Sequence, residues 1–265
     1  MSFFCQGSRE GADIVAGKRG GNMRETTVLP AEIARFDALA ASWWDPSGPM
    51  RALHRMNPAR IAWITDQAAR MFPGHSGMRV LDIGCGAGLA AEGLARRGFD
   101  VLGIDAAAAT IEAACAHAAG QALPLQYRVS TAEDLVAQGA QFPIVTALEV
   151  VEHVPDPGIF LQTLARLLEP GGLLVLSTLN RTARSFLAAK IGAEYVLRWL
   201  PIGTHDWRRF LTPAELSGWA RQAGLGNVAS AGLSPDPLRN MWRVTRDLSV
   251  NYLVAFRAPG ARGTL

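Results

Sequence analysis

The 265-residue chain contains no uninterrupted apolar run of about 18 residues, so no membrane-spanning helix is expected. It has little excess charge of either sign. A formal net charge of +3 is too small to argue for nucleic acid as a partner. Cysteine is scarce: Cys5, Cys85 and Cys115 fit no pairing motif, which suits a reducing cytoplasm and a fold without a disulfide framework. Residues 1–25 lack periodicity and lack a secretory apolar segment. They read as a disordered tail, with Met23 as an alternative start; Glu10 and Asp13 interrupt a targeting pattern. Internal repeats and an interdomain linker are absent too. What is present is apolar material, 49 % of the chain, enough for one α/β domain with additions.

The most informative stretch is Val80-Leu81-Asp82-Ile83-Gly84-Cys85-Gly86-Ala87-Gly88. It reads as a short apolar strand entering a glycine turn, with a helix from Leu89 to Arg97. A glycine turn lets a ligand lie against bare backbone, because no Cβ blocks its approach. Val101-Leu102-Gly103-Ile104-Asp105 then reads as a second strand ending in an acid, placed to accept hydrogen bonds from ribose hydroxyls. The glycines follow G-x-G-x-G, whereas a dinucleotide turn is G-x-G-x-x-G and aims its helix at a pyrophosphate. Asp82, two residues before the first glycine, would repel a pyrophosphate but suits an ammonium. The loop thus resembles the cofactor loop of class I S-adenosylmethionine (SAM)-dependent methyltransferases.

Alternation along the chain supports a sheet covered by helices on both faces. Helical spacing marks Pro30 to Trp44, and a second helix is expected from Pro58 with Asn57 as its cap. Strands are expected at Arg79–Gly84, Val101–Asp105, Gln126–Ser130, Ile144–Glu149 and Leu173–Leu179, with a helix at Gly158–Leu168 before the turn Glu169-Pro170-Gly171-Gly172. Val228–Gly232 and Val250–Arg257 read as late strands forming an antiparallel edge.

Several further segments occur in a specific order: Trp43-Trp44-Asp45, Leu53 through Arg60, Glu149 through Pro157, Ser177 through Arg181, Gly192 through Tyr195, Gly203-Thr204-His205-Asp206 and Val250-Asn251-Tyr252. With them the chain, from about Leu29 to Phe256, resembles the ubiquinone biosynthesis O-methyltransferases. That resemblance implies a Rossmann-like class I fold with a mostly parallel seven-stranded sheet, an N-terminal helical addition and an insertion after the fifth strand. It implies one methyltransferase domain over 26–258, with helices at 26–77, the insertion at 181–210 and a tail at 259–265. It also implies SAM as cofactor, methylation of 2-polyprenyl-6-hydroxyphenol and 3-demethylubiquinol, and other enzymes of the pathway as candidate partners. Cofactor contacts are implied at Arg60, Gly84, Asp105 and Leu148, beside Asp82, Gly86 and Gly88 of the loop. Arg60 suits a two-pronged pair with the methionine carboxylate, the alternative being a surface arginine at a helix start; Leu148 would pack on the adenine or methionine stem, the alternative being plain core.

A phenol with pKa ~10 sits about three units from ionising at pH 7, roughly 4 kcal/mol, so a base or a metal helps the transfer. Glu149, Glu152 and His153 share one side of a helical turn, at i, i+3 and i+4. Three readings stand for them. They ligate Mg2+ or a similar divalent ion, which the resemblance supports; or His153 is the general base and Glu152 orients it; or they are a polar turn. His205 in the Gly203–Asp206 segment is a second candidate base.

Between Arg181 and Leu200, Phe186, Ala189, Ala193, Val196, Leu197 and Leu200 share one helical face, while Leu187, Ile191, Tyr195 and Trp199 form a row on the other. This is either a lid over the active site or an element lying on an anionic membrane surface, since residues 181–209 hold six cations and two acids. The chain is accordingly expected in the cytoplasm, with peripheral contact on the inner face of the membrane under the second reading.

Overall fold

The structure is a computed structural model that describes residues 27–74, 76–185, 209–236, 239 and 241–260. The elements run α1 (Pro30–Leu39), a 3-10 turn (Ala40–Ser42), α2 (Arg51–Met71), β1 (Arg79–Ile83), α3 (Leu89–Ala95), β2 (Asp100–Asp105), α4 (Ala108–Ala118) and β3 (Leu125–Val129). They continue α5 (Ala132–Ala137), β4 (Phe142–Leu148), α6 (Pro157–Arg166), β5 (Leu168–Leu179), α7 (Ala183–Ser185), α8 (Pro213–Gln222), β6 (Gly226–Asp236), β7 (Met241–Thr245) and β8 (Asn251–Arg257).

One sheet carries the strands in the order β3-β2-β1-β4-β5-β8-β6-β7. The first five are parallel; β8 pairs antiparallel with both β5 and β6, and β7 pairs antiparallel with β6. The sheet therefore has eight strands rather than seven, the extra one being β7, Met241-Trp242-Arg243-Val244-Thr245. Its alternation is broken by adjacent Arg243 and Val244, both exposed, so no period-two signal announced it. Nor is β8 at the edge: it is sandwiched between β5 and β6, and all of its residues but Arg257 are buried.

Strands buried on both faces read as continuous apolar runs, as in Leu173-Leu174-Val175-Leu176. One core lies under α2, α3 and α4, with Ile64, Ala68, Leu94 and Phe99. The other lies under α5, α6 and α8, with Leu135, Phe160, Leu161 and Leu216. Each fully buried Leu or Phe is worth about 1.5–3 kcal/mol of transfer free energy. Local chemistry marks the helix starts. Thr131 with Asp134 and Thr212 with Glu215 form reciprocal capping boxes, and Asp156 caps α6 just before Pro157.

Two local expectations need correction. Helix α2 starts at Arg51, so Pro58 lies inside it and Asn57 is no cap. The Asn57 side chain instead donates to the Leu89 carbonyl (2.8 Å), tying α2 to the start of α3. Cys115 is disulfide-bonded and Cys85 is a buried free thiol. Cysteine spacing does not report which residues a fold brings together, and the expectation of no disulfide fails there.

Candidate active site

The strand order reverses between β1 and β4, and in open α/β sheets ligands bind outside the carboxyl ends of strands at such a point. A cavity of about 750 Å³ lies there. Its floor includes Gly84, Gly86, Asp105 and Leu148 at the ends of β1, β2 and β4. Its roof comes from Phe36, Trp43 and Met50, and Leu233 and Trp242 close one side.

The loop after β1 shows why glycine is needed. Gly84, Gly86 and Gly88 have φ of 64°, 54° and 89°, a region that costs other residues about 1–2 kcal/mol. A Cβ on Gly86 would lie 2.3 Å from the Trp43 ring, and one on Gly88 1.9 Å from the Tyr127 hydroxyl. Asp105 supports the same loop: one carboxylate oxygen accepts from the Gly86 N–H (2.8 Å) and the other from the Ala107 N–H (2.9 Å). Burial raises the Asp105 pKa, and these two bonds oppose the rise.

Asp82 lies under the loop, 1 % exposed. Its Oδ1 accepts from the Thr146 hydroxyl (2.7 Å), and its Oδ2 has no hydrogen-bond partner. Burial pushes its pKa up to about 6, partly offset by Thr146 and the Arg60 charge. Arg60, also buried, has its guanidinium 3.8 Å from Glu149 and donates to the Asn57 side-chain amide oxygen Oδ1 (3.4 Å). Asp82, Gly88 and Arg60 thus stand behind the wall of the cavity, while Gly84, Gly86, Asp105 and Leu148 form it.

At the end of β4, Glu149 has φ of 58°, the one non-glycine residue with positive φ among those described. Strain of this kind clusters at functional sites. Sheet register supplies its partners. Leu148 pairs with Ser177 and Leu179 with Asn251, so the Ser177 hydroxyl (2.7 Å) and the Asn251 amide (3.2 Å) both donate to Glu149 Oε1. Glu152, beside Glu149, is buried. It accepts from the Thr178 hydroxyl (2.9 Å), and its Oε1 has no hydrogen-bond partner. Burial, and then the neighbouring Glu149 charge, raise its pKa well above the usual carboxylate range.

His153 lines the cavity. The carboxylate beside it is not Glu152 but Glu32 of α1, whose Oε2 lies 3.2 Å from His153 Nδ1. Phe36, one turn along α1, meets the same imidazole edge to face at 5.4 Å. Nothing in the sequence around Glu32 marks it as a site residue; its position on the cavity-facing stripe of a short helix was the only signal. The expected ion-binding cluster is likewise not assembled: among the described residues no three His, Cys, Asp or Glu side chains are placed to hold a metal. Glu149 is committed to Ser177, Asn251 and Arg60, Glu152 to Thr178, and His153 faces Glu32. Spacing of i, i+3 and i+4 aligns side chains only on a regular helix, and the left-handed Glu149 breaks that regularity.

His205 and most of 181–209 lie outside the described residues. Of the cations counted there, Arg181 pairs with Glu215, Arg184 with Asp247 (3.1 Å) and Arg209 with Glu32 (3.5 Å).

Residues 53–230 match the family model of a methyltransferase domain. The ubiquinone biosynthesis O-methyltransferase of Azorhizobium caulinodans is 48 % identical over 236 residues, 86 % of this chain and 93 % of that protein. The same-named protein of Dinoroseobacter shibae is 50 % identical over 241 residues, 88 % and 97 % of the two chains. This chain belongs to the ubiquinone biosynthesis O-methyltransferase family. It is therefore a SAM-dependent O-methyltransferase with the loop, switch point and acid-tipped second strand of that class. Among solved structures, magnesium protoporphyrin IX methyltransferase from Synechocystis, with bound SAH, is similar at a TM-score of 0.59 and 17 % identity, covering 85 % of this chain and 94 % of that one. The [4+2]-cyclase SpnF is similar at a TM-score of 0.55, again at 17 % identity, over 75 % and 81 % of the two chains. That likeness shows the fold alone, and one fold hosts unlike chemistries.

Proposed function

We propose that this O-methyltransferase methylates phenolic hydroxyls of polyprenylated catechol and hydroquinone intermediates, 2-polyprenyl-6-hydroxyphenol and 3-demethylubiquinol. The observation that carries the reading is the cavity. Its polar floor suits a nucleoside and an amino acid, and its roof and side wall, with Leu39, Met50, Leu53, Leu233 and Trp242, suit an apolar acceptor.

The residues fit SAM. Bare glycine backbone lies in the wall, Asp105 has lone pairs left for ribose hydroxyls, and the unpartnered Asp82 oxygen and the Arg60 guanidinium supply charges opposite to an ammonium and a carboxylate. When bound, SAM supplies an activated methyl group on a sulfonium with a neutral leaving group. The protein's work is alignment, exclusion of water and removal of the phenolic proton. His153 in the cavity wall takes that proton. Glu149, held by Ser177 and Asn251, keeps Arg60 in place behind the wall.

The divalent ion implied by the resemblance would need Glu149, Glu152 and His153 to be brought together; Glu32 meets His153 at Nδ1 rather than Nε2, and Ser177 and Asn251 leave lone pairs on Glu149. No step here is routed through it. The test is transfer to short-tailed analogues of both acceptors, with and without chelator. Transfer that survives chelation supports His153 as base. Transfer that stops with chelator and returns with Mg2+ assigns the chemistry to a rearranged Glu149, Glu152 and His153. No transfer to either analogue overturns the substrate class.

The membrane contact of 181–209 is a further part of this proposal, because a polyprenyl tail resides in a bilayer. With three of its six cations already paired, attraction to lipid rests mainly on apolar burial. Co-sedimentation with anionic vesicles that persists in high salt supports it; no binding at any salt leaves the segment as a lid. No helix among the described residues is long and apolar enough to cross a membrane. Other enzymes of the pathway are further candidate partners.

A further inference from the structure

We propose that a row of residues across β5, β8, β6 and β7 is the subsite for the acceptor's polyprenyl tail, leading it from the cavity to the outer edge of the sheet. The inference rests on the reading of the acceptor as a polyprenylated phenol. Three observations carry it. The first is register. Leu179 of β5 pairs with Asn251 of β8, Asn251 with Leu233 of β6, and Leu233 with Val244 of β7. Residues directly opposite one another in antiparallel strands point to the same face, so these form one row across the sheet. The second is composition. All of the row but Asn251 is aliphatic, and the Pro235–Trp242 pair, one step along on the same face, flanks it. The third is where the row begins and ends. Asn251 donates to Glu149 at the turn after β4, and Leu179, Asn251 and Leu233 line the cavity, as do Pro235 and Trp242. Val244 lies beyond it, 41 % exposed on the edge strand.

Size requires such an exit. A site of about 300–1,000 Å³ encloses one drug-sized molecule. The cavity, about 750 Å³, receives SAM and a phenol ring and has no room for a long tail as well. Neighbouring strands lie about 4.8 Å apart, so the steps from Leu179 to Val244 cover about 14 Å, which carries the tail to the edge of the domain. A prenyl chain needs only apolar contact along that path, and each CH2 it buries adds about fourfold to its affinity. The row also runs away from β1, β2 and β4, whose ends hold the residues that fit SAM, so tail and cofactor do not compete for space.

The test is steady-state transfer from SAM to 3-demethylubiquinol analogues with no prenyl unit or with tails of increasing length, using the full chain as wild type, Val244→Glu, Met241→Glu and Trp242→Ala. Met241 is the internal control: it is 50 % exposed on the same strand, three residues from Val244 and therefore on the opposite face. In wild type, kcat/KM is expected to rise by about 10-fold or more over the first units and to level off once the tail passes β7. In Val244→Glu the loss grows with tail length, reaching about 10-fold for tails that span the row and falling mainly on KM. In Trp242→Ala the early rise flattens, and Met241→Glu follows wild type at every length. A wild-type kcat/KM independent of tail length, a Val244→Glu profile superimposable on wild type, or equal losses in Val244→Glu and Met241→Glu would overturn the subsite while leaving the substrate class intact. No transfer to any analogue would remove the underlying reading instead. Should Val244→Glu fail to fold, the contrast between Trp242→Ala and Met241→Glu in the same series decides the question.

Discussion

Asp82 is the residue whose electrostatics are most exposed to test. Its carboxyl is buried, and its pKa is pushed up to about 6 from an unfolded value near 3.8. Between these values the folded chain binds more protons than the unfolded one, so stability present below pH 4 is lost as pH rises to 6 and stays lost above it. Two units correspond to about 3 kcal/mol. Thermal unfolding of wild type and Asp82→Asn across pH 4–7 should show the variant gaining on wild type through that window. Added SAM should stabilise wild type more at pH 7 than at pH 5, because its ammonium pairs with the ionised acid; Asp82→Asn should lack that increment. Parallel curves for the two proteins would mean that Asp82 is solvated. Gly86 gives a steric counterpart. Gly86→Ala places a methyl 2.3 Å from the Trp43 ring at φ of 54°, combining overpacking of about 1–3 kcal/mol with left-handed strain. A lower melting temperature with weakened SAM binding is expected; an unchanged one would show that Trp43 is free to move.

At the scale of elements, the roof is joined to the sheet by side chains that sequence patterns assign to other duties. Asn57 is the example. Its amide ties α2 to Leu89 at the start of α3, so Asn57→Ala should cost about 1–2 kcal/mol in denaturant unfolding. If Asn57 were only a helix-start residue, Asn57→Ser would restore that loss; in this structure it should not, because a hydroxyl is too short to reach Leu89. The strands β1, β2, β4 and most of β5 were legible because burial on both faces leaves continuous apolar runs. The glycine loop and Asp105 were legible because the cofactor's chemistry demands those residue types at that spacing. The start of α2 was not: Asn-Pro is a common opening pair, and only tertiary contact shows that the helix begins seven residues earlier. Strand β7 and the strand character of Leu168 to Gly172 were hidden by exposed residues and by a Pro-Gly-Gly run that reads as a turn. Glu32 was invisible because its partner His153 comes from a distant part of the chain.

For the molecule as a whole, the cavity joins two requirements. The carboxyl ends of β1, β2 and β4 present backbone and acids to a polar cofactor, while α1, α2 and the β6–β7 hairpin enclose an apolar space beside it. In the proposed reaction cofactor and acceptor meet beside Glu149 and His153, which line the cavity at the turn after β4. The most direct test follows an isotope-labelled methyl group from SAM to a short-tailed 3-demethylubiquinol, with Asp105→Ala run beside wild type. The account predicts one label per product, on the phenolic oxygen, and a variant in which transfer falls mainly through a raised KM for SAM. Label on a ring carbon, or none on the acceptor while SAM is bound, would contradict it.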